Sequence, residues 1–174
     1  MIHVTVAVSI RVPGQGAVVS VDGRYTQDDH ICTDSAKKWF VFGSVAGAWA
    51  GSPGGLWSEM EDMPPRNWPE LRERVSRPRP GWEYDVLVYD RIKDRLLLTD
   101  QEGDVVMQGM YAAIGCGCPI ALGVLDAAKA PATLEAAAKL ARRAVQIACR
   151  RNSACGGRIR TLLIHGRKGP IEVR

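Results

Sequence analysis

The feature that most constrains this chain is the stretch from Leu134 to Ala148. There Leu134, Ala137, Ala138, Ala141, Val145 and Ala148 recur at helical spacing. A face built mostly of methyl groups lets a helix lie close against a sheet or a second helix. Thr133 stands just ahead of this face as an N-cap. A shorter helix is expected over Ile120 to Lys129, ended near Ala130-Pro131.

Around these helices the pattern is of short β-branched runs punctuated by turns. Strands are expected over Thr5 to Ile10 and Ala17 to Val21, joined through Pro13-Gly14-Gln15-Gly16 as a hairpin. Thr26 to Asp29 reads as a polar loop, and Phe40 to Val45 as a strand that ends in Ala46-Gly47. Two short helices are expected over Gly54 to Glu61 and Trp68 to Val75, the second capped by Asn67 with Pro69 in its first turn. Arg77-Pro78-Arg79-Pro80 cannot be helical and reads as a connector. Further strands are expected over Tyr84 to Tyr89, Arg95 to Thr99, Val105 to Gln108, Tyr111 to Ile114, Ile159 to Ile164 and Ile171 to Val173, with a turn at residues 101–104. Strands, helices, strands, helices and strands in that order predict an α+β layered fold rather than an alternating parallel one. The length of 174 residues predicts one domain, residues 1–174.

Composition narrows the function classes. Hydrophobic residues make up 46% and charged residues 24%, which argues against disorder. The net charge of +4 comes from scattered late residues such as Arg142, Arg150, Arg158 and Lys168. Such a spread reads as a solvated surface, and without clustered basic and aromatic residues it argues against nucleic acid as a partner. Five cysteines, an odd number in a chain of ordinary size, argue for a reducing compartment. No run approaches the ~20 apolar residues that cross a bilayer, so no membrane partner and a cytoplasmic location are expected. A single Cys116-x-Cys118 without a second ligand pair is no metal signature, and Gly115-Cys116-Gly117 lacks the remainder of a phosphate loop. No metal and no cofactor are expected. His3, His30 and His165 form no pair, and the five tryptophans read as core or subunit-contact residues.

Thr5-Val6-Ala7-Val8, Val21-Asp22-Gly23, Ala36-Lys37-Lys38, Val45-Ala46-Gly47 and Gly115-Cys116-Gly117 follow one another in an order that resembles the proteasome β-subunit family, especially its HslV-type bacterial branch. Thr5-Val6-Ala7-Val8-Ser9-Ile10-Arg11 resembles the mature N-terminal strand that begins at the nucleophilic threonine. Val21-Asp22-Gly23-Arg24-Tyr25-Thr26 is similar to the family's Asp-Gly loop, and Ala36-Lys37-Lys38 to the segment that carries its buried lysine. Val45-Ala46-Gly47 resembles the strand end whose glycine amide builds the oxyanion hole. Ile114-Gly115-Cys116-Gly117-Cys118-Pro119 resembles its Gly-Ser-Gly segment and the helix that follows.

The resemblance implies a four-layer α/β/β/α sandwich of the N-terminal-nucleophile hydrolase type. It implies a threonine peptidase that cleaves amide bonds through an acyl-threonine intermediate, with peptide or protein as substrate. Thr5 would be the nucleophile, activated by its own α-amine acting through water. Lys38 would supply positive charge, Asp22 would orient and compensate it, the Gly47 amide would serve the oxyanion, and Cys116 would support the threonine. A homo-oligomeric ring and an unfoldase partner also follow from the resemblance. In the sequence Met1-Ile2-His3-Val4 precedes Thr5 as a possible leader, and the amine exists only once those residues are removed. Asn152 and Cys155 stand where the family often has an aspartate and a serine. These departures keep open an alternative, a catalytically silent subunit that uses the same fold to assemble.

Overall fold

A computed structural model of the chain describes residues 5–27, 30–51, 55–77, 83–100, 105–165 and 171–173. The possible leader at residues 1–4, prolines 78 and 80 of the connector, Trp82 and the turn at 101–104 lie outside the described residues. The described residues form a mixed α/β fold with four helices and several sheets.

β1 (Ala7–Val12) and β2 (Gly16–Val21) are rich in valine and pair as the expected hairpin, with Ala7 opposite Val21 and Val12 opposite Gly16. Next come β3 (Tyr25–Gln27) and β4 (His30–Thr33), then β5 (Trp39–Phe42) and β6 (Val45–Gly51). Helices α1 (Gly55–Asp62) and α2 (Trp68–Val75) follow, then β7 (Tyr84–Asp90), β8 (Arg95–Asp100), β9 (Val105–Gln108) and β10 (Tyr111–Ile114). The chain continues through α3 (Cys118–Asp126), α4 (Leu134–Arg151), β11 (Arg160–His165) and β12 (Ile171–Val173). One five-stranded sheet has the order β10-β1-β2-β11-β12 and the other β5-β6-β7-β8-β9, with every pairing antiparallel. β3 and β4 make a separate two-stranded ribbon.

Three clusters of buried side chains divide the interior. In the first, Val8, Ile10, Val12 and Val18 meet Ala137, Ala141, Ala144 and Ala148 of α4 and Leu125 of α3. The methyl-lined face read in the sequence is thus the face that lies on the first sheet. In the second, Ala7, Val19 and Val21 of the first sheet meet Ala46, Ala48, Leu87 and Tyr89 of the second. In the third, Phe40, Trp49, Val86 and Val88 of the second sheet meet Leu56, Met60, Trp68 and Leu71 of α1 and α2. β1 and β2 are buried on both faces, which explains why they read as continuous apolar runs instead of alternating ones. The polar groups they carry inward are satisfied: Ser9 Oγ donates to the Val18 carbonyl at 3.0 Å, and Ser20 and Thr161 hydroxyls share a 3.0 Å bond.

The predicted caps are present, with Thr133 Oγ1 accepting from the Ala136 N–H at 3.2 Å and Asn67 Oδ1 from the Glu70 N–H at 3.1 Å. Two segments differ from expectation. The polar loop at Thr26 to Asp29 includes strand β3 up to Gln27, because backbone pairing with β4 needs no apolar face in an exposed ribbon. The single strand over Phe40 to Val45 is two strands turning at Gly43-Ser44, where Gly43 has a φ of 49°. Gly47 therefore does not end a strand. It sits mid-way along β6, opposite Phe40 on one side and Val88 on the other. A Cβ there would lie 2.0 Å from the Leu87 carbonyl oxygen and 2.9 Å from the Phe40 ring. Gly47→Ala is expected to cost about 2–3 kcal/mol of stability in urea titration through overpacking. Gly109→Ala, whose Cβ meets nothing within 4 Å, is expected to stay within about 0.5 kcal/mol of the parent.

Candidate active site

The end of β2 delivers Asp22 beside the start of β1. The Asp22 N–H donates to the Val6 carbonyl and the Val6 N–H returns a bond to Asp22 Oδ1, both at 3.1 Å. The second carboxylate oxygen accepts from the Gly156 N–H at 2.9 Å. Lys38, the last residue before β5, reaches in so that its Nζ donates to Asp22 Oδ1 at 2.9 Å and to the Arg24 carbonyl. Both side chains of this ion pair are at most 1% exposed. Burial pushes the Asp22 carboxyl above its ordinary value, and the Lys38 ammonium and the amides of Gly156 and Val6 pull against that. The pair is surrounded by a stitched backbone: Gly23 and Arg24 N–H groups donate to the Gly156 carbonyl, Ala36 N–H to Gly23 and Arg158 N–H to Asp34.

Thr5 is buried immediately ahead of β1. The turn after β10 crosses directly over it, and its two glycines make that crossing possible. A Cβ on Gly115, which has a φ of 85°, would lie 2.3 Å from the Thr5 carbonyl oxygen. The Gly117 N–H donates to that oxygen at 3.3 Å, and Cys116 Sγ lies 3.6 Å from it. Cys116 Sγ is also 3.4 Å from Cys155 Sγ. Hydrogen bonding with Cys155, and secondarily with the Thr5 backbone and Asn152, lowers the Cys116 thiol to about 6 against the opposing effect of burial. Cys155 is pushed up by the same contact and by burial. Asn152 ends α4 and ties two segments together, Nδ2 donating to the Cys116 carbonyl at 3.1 Å and Oδ1 accepting from the Ala154 N–H at 3.0 Å.

The fold thus gathers Asp22, Lys38 and Cys116 around the Thr5-Val6 backbone. It leaves Gly47 inside the second sheet, and the ladder explains why. The Trp49 N–H donates to the Lys38 carbonyl at 3.1 Å, so amides of alternate residues on β6, Gly47 included, face β5. Gly47 stands opposite Phe40, where that amide is taken up by the ladder. Gly51 faces the same way two residues past Trp49, but register with β5 stops at Ala48. It has a φ of 95° and ends the strand. The Cβ that would touch Thr5 from Gly115 would also come within 3.3 Å of Ala50 Cβ, so this end of β6 adjoins Thr5. Gly51 is a strand-ending glycine that sequence reasoning did not single out. Its signal was the break Gly51-Ser52-Pro53-Gly54-Gly55 after an apolar run, a stronger strand stop than Gly47. Among the described residues no three His, Cys, Asp or Glu side chains are grouped to hold a metal ion.

Lys38→Met leaves the Asp22 carboxylate buried without its partner and is expected to cost about 3–5 kcal/mol at pH 7. A carboxyl whose folded value is raised contributes stability below its unfolded value, ordinarily 3.8, and loses it as pH rises. The variant's deficit in urea titration should therefore be smaller at pH 4 than at pH 7, and Asp22→Asn combined with Lys38→Met should recover part of it.

A family model described as Proteasome subunit matches residues 74–164, more than half of the chain. The matched segment contains Cys116, Asn152 and Cys155, whereas Thr5, Asp22, Lys38, Gly47 and Gly51 precede it. No curated protein matches the chain in sequence.

Proposed function

The chain belongs to the proteasome subunit family, and we propose that it is an N-terminal-threonine hydrolase of the HslV type that cleaves peptide amide bonds. The observation that carries this reading is the buried Asp22–Lys38 pair, bonded through Asp22 to the amide of the residue next to Thr5. A hydroxyl is a weak nucleophile at its ordinary pKa, and a buried ammonium beside it favours the deprotonated form. With residues 1–4 removed, the Thr5 amine accepts the hydroxyl proton through water, and Thr5 Oγ attacks the substrate carbonyl to give an acyl-threonine. The leaving amine takes the proton, and water then hydrolyses the ester. The oxyanion is assigned to the Gly51 N–H in place of Gly47. Cys116 acts as a support that holds the Thr5 backbone.

The same reading takes the architecture as a four-layer α/β/β/α sandwich in one domain. The three buried clusters, one between each successive pair of layers, support it. Members of the family generally form oligomeric rings. A homo-oligomeric ring, a cytoplasmic location and an unfoldase partner complete the proposal. A second reading, a silent structural subunit, is favoured by Asn152. Its neutral amide is engaged by the Cys116 carbonyl and the Ala154 N–H and brings no negative charge to organise a free amine.

The two readings separate on the N-terminal residue of protein from its native host and on hydrolysis of fluorogenic peptides. The enzyme reading expects a mature chain that starts at Thr5. It also expects a version lacking residues 1–4 to be active, with Thr5→Ala lowering the rate about 10³-fold or more. A mature chain that retains residues before Thr5, together with no hydrolysis by the version that begins there, would overturn it in favour of the structural subunit.

A further inference from the structure

Cys116 and Cys155 come from distant parts of the chain, the turn ahead of α3 and the loop after α4. Their sulfurs are nevertheless 3.4 Å apart, and both thiols are free. A disulfide bond is about 2.05 Å long, so roughly 1.4 Å of approach separates the two states, within reach of side-chain rotation and small loop motion. Gly117 leaves the space that this contact uses, since a Cβ there would lie 2.9 Å from Cys155 Sγ. Each cysteine belongs to a segment that grips the site. The Cys116 turn holds the Thr5 carbonyl through the Gly117 N–H, and the residue after Cys155 holds Asp22 through the Gly156 N–H.

We propose that Cys116 and Cys155 are an oxidation site, a dithiol that a peroxide converts into a disulfide fastening the Thr5-holding turn to the Asp22-holding loop. Cys116 is the attacking sulfur because it is partly exposed, whereas Cys155 is 1% exposed. Its ionisation below the ordinary thiol range is consistent with that order. The Cys116 thiolate attacks one peroxide oxygen and the O–O bond breaks, giving a sulfenic acid and, with hydrogen peroxide, a hydroxide that takes up the proton Cys116 shed on ionising and leaves as one water. Cys155 sulfur then attacks Cys116 sulfur, the S–O bond breaks and a second water leaves with the Cys155 proton. Two thiols have lost two electrons to one peroxide. In the bridged state the Cys116 sulfur, which lies 3.6 Å from the Thr5 carbonyl oxygen in the dithiol, is drawn toward Cys155. Oxidant level is thereby coupled to the position of Thr5.

The site can be tested without any substrate, so the outcome is independent of whether the chain is a peptidase. Reduced full-length protein is exposed to hydrogen peroxide, quenched, denatured and alkylated, then read by intact mass and peptide mapping. Expected are three alkylated thiols of the five, one peptide pair joined through Cys116 and Cys155, and a melting temperature raised by roughly 5–10 °C for a bridge of this loop length. The bridge should be reversed by dithiothreitol and kept in Cys149→Ala. In Cys155→Ala, Cys116 should accumulate as a sulfenic acid that dimedone traps. Five alkylated thiols after exposure, a bridge from Cys116 to Cys149, or Cys116 sulfinic acid without a bridge would each overturn the proposal, and all three are read on the parent protein alone.

Discussion

The structure around Thr5 depends on one buried ion pair. Two opposite charges at most 1% exposed carry a desolvation cost of several kcal/mol each, and Coulomb attraction offsets it only if the remaining polar atoms are satisfied. Here they are: Asp22 takes bonds from Lys38, Val6 and Gly156, and Lys38 also donates to the Arg24 carbonyl. Those partners come from the start of β1, the loop after β2, the approach to β5 and the loop after α4. A pair of apolar residues could pack the same space, but it would not fix these four segments in register through directed bonds.

Close approach is the second constraint, and small residues meet it. Alanines on α4 bring the helix onto the first sheet, alanines on β6 bring the second sheet against β1, and Gly115 and Gly117 let one turn lie on the Thr5 carbonyl. The two sheets and the Thr5 turn therefore meet at Ala7, Ala50 and Gly115. A larger side chain at any of these would separate the layers whose junction forms the site.

The sulfur chemistry sits on the same junction. In a hydroxyl-based version of this turn and loop, the contact between residues 116 and 155 would be an inert hydrogen bond. With thiols it becomes a contact whose length and bonding depend on oxidation state. The segments it would join already hold Thr5 and Asp22, so a change of about an ångström there acts directly on the groups around the threonine.

Much of this was legible in the linear sequence, because local rules govern it. The methyl-lined face of α4, the Thr133 and Asn67 caps and the β1–β2 hairpin follow from periodicity and turn chemistry within a few residues. Thr5, Asp22 and Lys38 stood out only through the resemblance of their segments to a known family, and the match to the proteasome subunit family covers the later part of the chain. Only the tertiary structure decided which glycine ends β6, since an amide's direction depends on which neighbour strand it faces and where that pairing stops. Gly47 and Gly51 share a direction, and Gly51 alone lies past the register with β5. Likewise the Cys116–Cys155 contact spans 39 residues, and only the packing of α3 against α4 and β1 brings those sulfurs together. Sequence patterns record what each residue does to its neighbours along the chain, whereas contacts across layers are set by the summed packing of all of them.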